Sequence, residues 1–341
     1  MKGTLLGLDI GYGNLKLVFG RGVNGQIAKI LPSGVARADQ VARTMEGKIN
    51  RVGHLVNLDG VPYVAAVSPT KLQGYERILH QDYASSPDYL ALFYAALLET
   101  RETTIDTLVT GLPVAEHLDH PERIDALQKR LVGTHYVNDD VAVVVRNAHV
   151  LPQPVGTYLD ALATHPKLSE NKDATILVVD PGYYSVDWVV MTSGGIRHLS
   201  SGSSPEAASR VLERASKAIS AKTDCHISVD RLNDALAEGR RFITVYGERY
   251  DYQPALKAAA AVSAEVIVNL IKSKLRSESM SVDSLVVSGD TASLYARALE
   301  EAIPRGDTIV SIHSFRANGR GFPRAALHSP APSSSCVPPG V

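Results

Sequence analysis

The chain has 341 residues and is 45% hydrophobic, so it can bury a substantial core and is long enough for two domains. Its 35 Lys plus Arg against 36 Asp plus Glu leave a formal net charge of -1, which excludes a general electrostatic attraction to nucleic acid or to an anionic membrane. Cys225 and Cys336 are far apart and at no zinc-ligand spacing, which excludes a disulfide framework or Cys-rich metal centre and fits a reducing cytoplasm.

Residues 4–10 and 14–19 form a predicted hairpin, because an apolar run broken by Asp9 and Lys16 reads as a strand pair rather than a signal peptide; residues 26–31 add a third strand. Residues 32–80 are weakly patterned apart from the pair 51–57 and 61–66, which turns at Leu58-Asp59-Gly60. Ser86 is a natural N-cap and Pro87 a tolerated first residue for a helix whose Leu90, Phe93, Tyr94, Leu97 and Leu98 share a face. A short strand at 107–110 runs into Gly111-Leu112-Pro113, and a helix at 121–131 aligns Ile124, Leu127 and Leu131 ahead of Gly133. Residues 141–151 read as one strand. Leu151 to Gly156, with two prolines, breaks the pattern before a crossover helix at 157–163, and the polar run 165–173 connects the halves.

The second half opens on strands again, at 175–180, 185–191 and 196–199. Helices at 205–220, 230–238 and 255–276 follow, the last with Val262, Val266, Ile267, Leu270 and Ile271 on one side and Lys272, Lys274 and Arg276 at its C-terminal end. A strand at 284–288, a Gly289-Asp290 turn, a helix at 291–302 and a strand at 308–312 complete it, and the Pro- and Ser-rich tail at 329–341 is expected to be disordered. No stretch approaches the roughly 20 apolar residues that span a bilayer. The elements predict mixed α/β structure in two similar domains.

The segment TLLGLDIGYGNLKLVF at 4–19 is echoed by TILVVDPGYYSVDWVV at 175–190, each a strand, an Asp-x-Gly turn and a strand. One such turn most often only reverses a hairpin. Two that face each other would bring two carboxylates and several backbone N–H groups to one cleft, which suits a metal-bound polyphosphate. In Asp9-Ile10-Gly11-Tyr12-Gly13-Asn14-Leu15-Lys16, glycines let the backbone approach phosphate, Asp9 could hold Mg2+ through water, and Lys16 could meet a phosphate oxygen. The plainer alternative is a hairpin with a surface lysine. Asp180-Pro181-Gly182-Tyr183-Tyr184-Ser185-Val186-Asp187 offers a second carboxylate, a glycine approach and a hydroxyl, against a hairpin in which Asp187 and Trp188 are simply strand residues. Val286 to Thr291, through Gly289 and Asp290, makes a strand, turn and helix start that suits a nucleoside against backbone, a weak signal alone. That segment does not match the Rossmann glycine spacing, and no Walker element is present. Gln153, between two prolines, could orient a water for attack on a terminal phosphate, although a Gln so placed is more often a solvated turn residue. His117 and His120 are explained by packing at least as well as by metal binding.

In this order the motifs resemble those of the actin, Hsp70 and sugar kinase superfamily, and more closely the plasmid-segregation actin-like ATPases of the ParM/StbA type. Leu8 to Lys16 is similar to their first phosphate loop, Val109 to Val114 to their TGLP segment, Asp180 to Asp187 to the second phosphate loop, Ser288 to Asp290 to the adenosine loop, and Ala317 to Phe322 to the closing N-x-R-G-F segment. The form DPGYYSVDW also resembles the actin-like protein D of PRTRC plasmid-associated systems. The resemblance implies an α/β actin-like fold of two duplicated RNase H-like domains around a nucleotide cleft, with domain I at 1–165 plus a C-terminal return near 313–328, and domain II at 166–312. It implies that Asp9 and Asp180 position Mg2+, that Gly11, Tyr12, Gly13, Asn14, Lys16, Gly182, Tyr183, Tyr184 and Ser185 clasp the phosphates of ATP, that Gly289, Asp290 and Thr291 meet adenosine, and that Gln153 positions water. Tyr183 and Tyr184 depart from the small residues usual there, Asp290 replaces a common Gly, and Gln153 stands where ParM-type proteins often carry Glu, which implies slow hydrolysis.

The reading that results is a cytoplasmic bacterial or plasmid-encoded ATPase that binds Mg-ATP, assembles into filaments of itself for plasmid segregation, and reaches DNA through a separate adaptor, with no direct nucleic-acid or membrane contact. A sugar-kinase-like phosphotransferase, with Asp139 or Asp140 as base, and a nucleotide-binding scaffold that neither polymerises nor hydrolyses are the alternatives.

Overall fold

Both Asp-x-Gly segments close hairpins, and each hairpin seeds a sheet of the same strand order. The computed structural model describes residues 3–22, 26–41, 53–72, 82–171, 173–289, 291–303, 307–310, 321, 322 and 324. Strands Thr4–Ile10 and Asn14–Arg21 pair antiparallel with Asp9 opposite Lys16; Ile27–Pro32 joins one edge, and Thr107–Leu112 then Ala148–Pro152 run parallel on the other. Strands Thr175–Pro181 and Val186–Thr192 pair with Asp180 opposite Asp187, flanked by Gly195–Ile196 on one side and by parallel Ser284–Val287 and Asp307–Val310 on the other. The duplication expected from the repeated opening is thus a duplication of topology.

Thr175–Pro181 is buried throughout because both faces of its sheet are covered. Leu177 and Val179 pack with Trp188, Val211, Leu212 and Ile267, while Ile176 and Val178 pack with Val114, Ala161 and Val189 on the opposite face. The Trp188 indole N–H donates to the Ser200 carbonyl at 2.9 Å. In the first half Leu6, Leu8, Leu15 and Leu17 pack against helix Pro87–Thr100, which begins as expected, with Ser86 Oγ accepting from the Tyr89 N–H at 3.1 Å. That helix also meets a small sheet of Gly34–Arg37, Val61–Val67 and His54–Leu58, so Tyr89, Leu92 and Ala96 are buried along with the expected Phe93 and Leu97. The turn at Asp59 and Gly60 puts both residues at positive φ, 51° and 84°, the hairpin geometry the sequence suggested.

Several expectations change. The run 141–151 is two strands in two sheets, Ala142–Val145 and Ala148–Pro152. Asp106 fixes the step between them, accepting from Arg146 Nη1 at its carboxylate (2.6 Å) and from the Asn147 amide at its carbonyl (3.0 Å). The crossover helix is Gln153–Thr164, so Gln153 and Pro154 start a helix instead of interrupting a pattern; a first-turn proline forfeits no helical hydrogen bond. The polar connection contains helix Lys167–Glu170, the strand at 196–199 shrinks to Gly195–Ile196, and 291–302 divides into the turn Ala292–Leu294 and helix Ala296–Ala302. Strand Gly202–Ser204 and the hairpin Phe242–Val245 with Glu248–Asp251 had no predicted counterpart. Helix Gln253–Ser277 is long and apolar enough by composition to cross a bilayer, contrary to the sequence expectation. Its Leu256, Ala260, Ile267 and Ile271 are buried in the second core, whereas Val262, Val266 and Leu270, placed with the buried stripe by sequence, face outward at 51%, 39% and 40% exposure. The tail at 329–341 lies outside the described residues.

Among the described residues the halves meet at the base and at the outer end as well as between the two turns. At the base, Val114 of helix Val114–Asp119 and Ala161 of Gln153–Thr164 enter the apolar core of the second sheet. The Arg324 guanidinium pairs with the Asp160 carboxylate there, and Phe322 is fully buried with its ring over Gly111. At the outer end, Thr70 Oγ1 and Ser68 Oγ donate to Asp234 Oδ2 at 2.8 and 3.3 Å, tying the small sheet to helix Val229–Ala237. Removing that acceptor by Asp234→Ala is expected to lower stability by no more than about 1 kcal/mol while increasing the radius of gyration in small-angle scattering; an unchanged radius would show that the outer contact does not hold the halves together.

Candidate functional site

The two turns are built alike. Gly11 N–H donates to the Asn14 carbonyl at 3.0 Å, and Gly182 N–H to the Ser185 carbonyl at 2.9 Å. A Cβ on Gly182 would lie 2.9 Å from the Ser185 carbonyl, and one on Gly13 would lie 3.2 Å from the Tyr183 Cβ, so glycine lets the second turn tighten and lets the turns touch. Between them lies a cleft of about 720 Å³, counting space open to solvent. Asp9, Gly11, Tyr12, Gly13 and Lys16 line it from one side, Asp180, Gly182, Tyr183, Tyr184 and Ser185 from the other, with Gln153 between.

Strand register explains the polar pairs. Asp9 and Lys16 are directly opposite across an antiparallel ladder, so their side chains share a face, and Lys16 Nζ donates to Asp9 Oδ2 at 3.1 Å. Gln153 Nε2 donates to Asp9 Oδ1 at 3.3 Å from the first residue of its helix, so it is not the solvated turn residue of the plainer reading. Nor is Lys16 a surface lysine, at 8% exposure. In the second hairpin the Lys16 position is Asp187, opposite Asp180. Asp187 is buried and accepts from Ser185 Oγ at 2.5 Å, from Val114 N–H at 2.7 Å, and from Ser203 Oγ. Burial pushes its carboxyl above the usual carboxylate range, and these hydrogen bonds oppose the rise. With Ala115 N–H donating to Ser203 Oγ at 2.9 Å, the start of helix Val114–Asp119 is docked on the second sheet beside the cleft residues Gly111, Leu112 and Pro113.

Three expected site residues sit behind the cleft surface. Asn14 contributes the carbonyl that closes its turn. Gly289 packs so closely that a Cβ would fall 2.5 Å from Asp180 Oδ1, and Thr291 donates through N–H and Oγ1 to the Pro181 carbonyl at 3.2 and 3.0 Å. Asp290 lies outside the described residues. Asp139 and Asp140 are exposed and do not line the cleft. His117 Nε2 hydrogen-bonds with the Val150 carbonyl at 3.2 Å and His120 pairs with Glu122, and among the described residues no three His, Cys, Asp or Glu side chains gather as a metal site. Mg2+ keeps several waters and takes one or two protein carboxylates beside substrate phosphates, so Asp9 and Asp180, aimed at one cavity, fit it without a third protein ligand.

The sequence reading missed Tyr83, Tyr89 and Glu116. The Tyr12 ring stacks on Tyr83 (centroids 4.0 Å) and meets Tyr184 (4.7 Å), and Tyr83 stands edge-on to Tyr89 (5.7 Å), so aromatic contact runs from one turn to the other. Burial raises the Glu116 carboxyl, and Arg123 at 3.2 Å opposes the rise. Glu116 follows Gly-Leu-Pro in the first turn of a helix, the one local signal that could have found it.

The family profile described as "Actin like proteins N terminal domain" matches residues 7–156, and the one described as "Archaeal actin homologue MreB-like, C-terminal" matches residues 178–301. In structure the chain is similar to an archaeal actin homologue in complex with ADP (TM-score 0.75, 20% identity, 96% of this chain and 100% of that one). It is similar as well to a ParM from a 15-stranded filament of Clostridium botulinum (0.74, 15%, 96% and 100%) and to the actin-like protein Alp7A (0.70, 16%, 95% and 96%). No curated protein matches the sequence. The chain belongs to the actin-like proteins, with two domains of that fold set about a cleft.

Because the folded-state pKa of Asp187 is raised, its contribution to stability is full below the unfolded pKa and is lost as pH rises through the folded one. Asp187→Asn removes the titration but leaves one carbonyl acceptor for three donors. The variant is expected to be less stable overall and to lose part of the wild-type fall in melting temperature with rising pH; parallel pH curves would contradict the assignment.

Proposed function

We propose that the protein binds Mg-ATP in this cleft, assembles into filaments of its own copies, and hydrolyses the nucleotide to time their disassembly, as a cytoplasmic plasmid-segregation protein served by a DNA-binding adaptor. The observation that carries the reading is the pair of like-built turns aiming Asp9, Lys16, Asp180 and Gln153 at one cavity. The ADP complex of the archaeal homologue and the filament of the clostridial ParM support it from outside this chain. Residues 1–165 with a return near 313–328, and 166–312, are the two domains of this proposal.

In this scheme Mg2+ supplies charge neutralisation for the phosphates. Lys16 exchanges one oxygen of Asp9 for a phosphate oxygen, a short move for a flexible ammonium already in the cleft. The turns formed by Gly11, Tyr12, Gly13 and Asn14, and by Gly182, Tyr183, Tyr184 and Ser185, present backbone N–H groups and a hydroxyl to the phosphates. Asp9 and Asp180 would orient the hydrated ion and Gln153 would direct water at the terminal phosphate, while Gly289 and Thr291 back the second turn against Asp180 and Pro181 instead of lining the cleft. A ligand touching both turns favours the closed arrangement, and assembly selects it.

The Tyr12–Tyr184 ring contact already spans the space between the turns and favours, as a second reading, a nucleotide-binding scaffold that neither polymerises nor hydrolyses. The kinase alternative has no such support, since Asp139 and Asp140 are exposed away from the cleft lining. Light scattering with parallel phosphate release separates these outcomes. Mg-ATP, but not Mg-ADP, is expected to raise scattering above a critical concentration, and Asp180→Ala to abolish the rise and cut phosphate release by at least about 100-fold. Nucleotide binding without a scattering rise at micromolar protein would sink the filament reading.

A further inference from the structure

The second turn sets a hydroxyl nucleophile against a carboxylate. Among the described residues that line the cleft, Ser185 carries the one aliphatic hydroxyl, and no cysteine joins it. Its Oγ donates to Asp187 Oδ2 at 2.5 Å. Asp187 is the register partner of Asp180, and directly opposed residues of an antiparallel pair share a face, so the contact puts Ser185 on the face that carries Asp180. Asp180 and Ser185 line the cleft and the buried Asp187 does not, which makes the hydroxyl the outer member of the pair. The other donors to Asp187, Val114 N–H at 2.7 Å and Ser203 Oγ, hold its carboxylate in place behind the serine. A hydroxyl held by a base that is itself oriented by further groups is the arrangement that activates a nucleophile.

A serine that only clasped phosphate would aim its proton at a phosphate oxygen. Here the single hydroxyl proton is committed to Asp187, and what Oγ can offer a ligand in the cleft is a lone pair. We infer that Ser185 is a phosphoryl acceptor: with Mg-ATP in the cleft, the protein phosphorylates its own Ser185. This rests on the nucleotide reading above. In the step, Ser185 Oγ forms a bond to the terminal phosphorus as the bond from that phosphorus to its bridging oxygen breaks. ADP leaves with the electron pair of the broken bond, and the hydroxyl proton passes to Asp187 and from there to solvent. Lys16, whose ammonium lies in the same cleft, offsets negative charge on the phosphates.

The product alters the site that makes it. A serine phosphate carries about −1.5 to −2 charges at neutral pH and has lost the proton that bonded Asp187. It stands next to the carboxylate that docks Val114 at the start of helix Val114–Asp119, so its repulsion loosens that joint between the halves. It also takes up the space of an incoming terminal phosphate. Ser185 is thereby a modification site that shuts its own cleft.

The test incubates wild type, Ser185→Ala, Ser185→Thr and Asp187→Asn with Mg-ATP, denatures them, and reads intact and peptide masses. Nucleotide binding is followed beside it as the melting-temperature shift given by a non-hydrolysable Mg-ATP analogue. Wild type is expected to gain one phosphate, on Ser185, at a first-order rate independent of protein concentration, and then to lose the analogue's shift. Ser185→Ala is expected to bind the analogue and gain none, and Ser185→Thr, which keeps a hydroxyl, to gain it still. Asp187→Asn is expected to gain it at least about 100-fold more slowly. No phosphate on a wild type that binds the analogue overturns the inference, as does phosphate on another residue or a rate that grows with protein concentration. Equal rates in wild type and a folded Asp187→Asn overturn it by making the hydrogen bond structural. If no nucleotide shifts wild type, the nucleotide reading itself fails and the inference falls with it, a result distinct from binding without transfer.

Discussion

Strand register is the constraint on which the site depends. In an antiparallel hairpin, residues directly opposite share a face, so the repeat places Asp9 with Lys16 and Asp180 with Asp187 on equivalent faces of equivalent sheets. A slip of one residue in the first hairpin would turn these side chains into the helix-packed core and the leucines outward. Apolar alternation opposes that slip there through Leu6, Leu8, Leu15 and Leu17, whereas in the second copy both faces are apolar, with Leu177, Val179, Val186 and Trp188 in one core and Ile176, Val178 and Val189 in another. The same scaffold then serves opposite electrostatics. The first copy pairs an acid with a base; the second sets two acids opposite each other and meets the conflict by burying Asp187 under donors from Ser185, Ser203 and Val114.

The contacts joining the halves differ in kind from base to mouth. Val114 and Ala161 are part of a shared apolar core at the base, and separating them exposes hydrocarbon at about 25 cal/mol per Å². At the outer end the joint is two hydroxyl donors on Asp234, where water can replace each lost hydrogen bond. Relative motion is therefore cheapest as a rotation that opens the mouth and pivots at the base, with helices Val114–Asp119 and Gln153–Thr164 near the axis. Both helices begin beside the cleft, at Pro113 and Gln153, so a change in cleft width bears directly on Gln153 and Asp9.

What the sequence made legible was local: the repeated turns, the Ser86 cap, the Asp59-Gly60 hairpin and both strand pairs depend on neighbours a few residues away. The residues expected on those turns line one cleft, apart from Asn14, whose carbonyl closes its own turn. What it hid was set by distant packing. Residues 141–151 look like one strand because nothing in their composition says that Arg146 and Asn147 are caught by Asp106 and handed to a second sheet. Helix Gln253–Ser277 is apolar on both sides, so periodicity could not choose the buried face. Two prolines around Gln153 signal a break as readily as a helix start. Tyr89 lies off the expected stripe of its helix, so its place in the cleft lining shows only in the fold.

The tyrosines that depart from the family pattern look like obstacles to a phosphate clasp, and the matched hydrogen bonds of the two turns show where they stand instead. Tyr183 is the counterpart of Tyr12, and Tyr184 of Gly13, since Gly182 and Ser185 repeat the hydrogen bond of Gly11 and Asn14. Where the first turn has glycine, the second puts a ring, and that ring meets Tyr12 across the gap, while the bare Gly13 leaves room for the Tyr183 Cβ at contact distance. The spacing of the turns is thus held by side chains on one line and by a glycine on the next. An aromatic pair of this kind contributes about 0.5–1.5 kcal/mol beyond its buried area, whereas micromolar binding corresponds to about 8 kcal/mol. Under the proposed function, a polyphosphate that displaced the Tyr12–Tyr184 contact would lose no more than about tenfold in affinity.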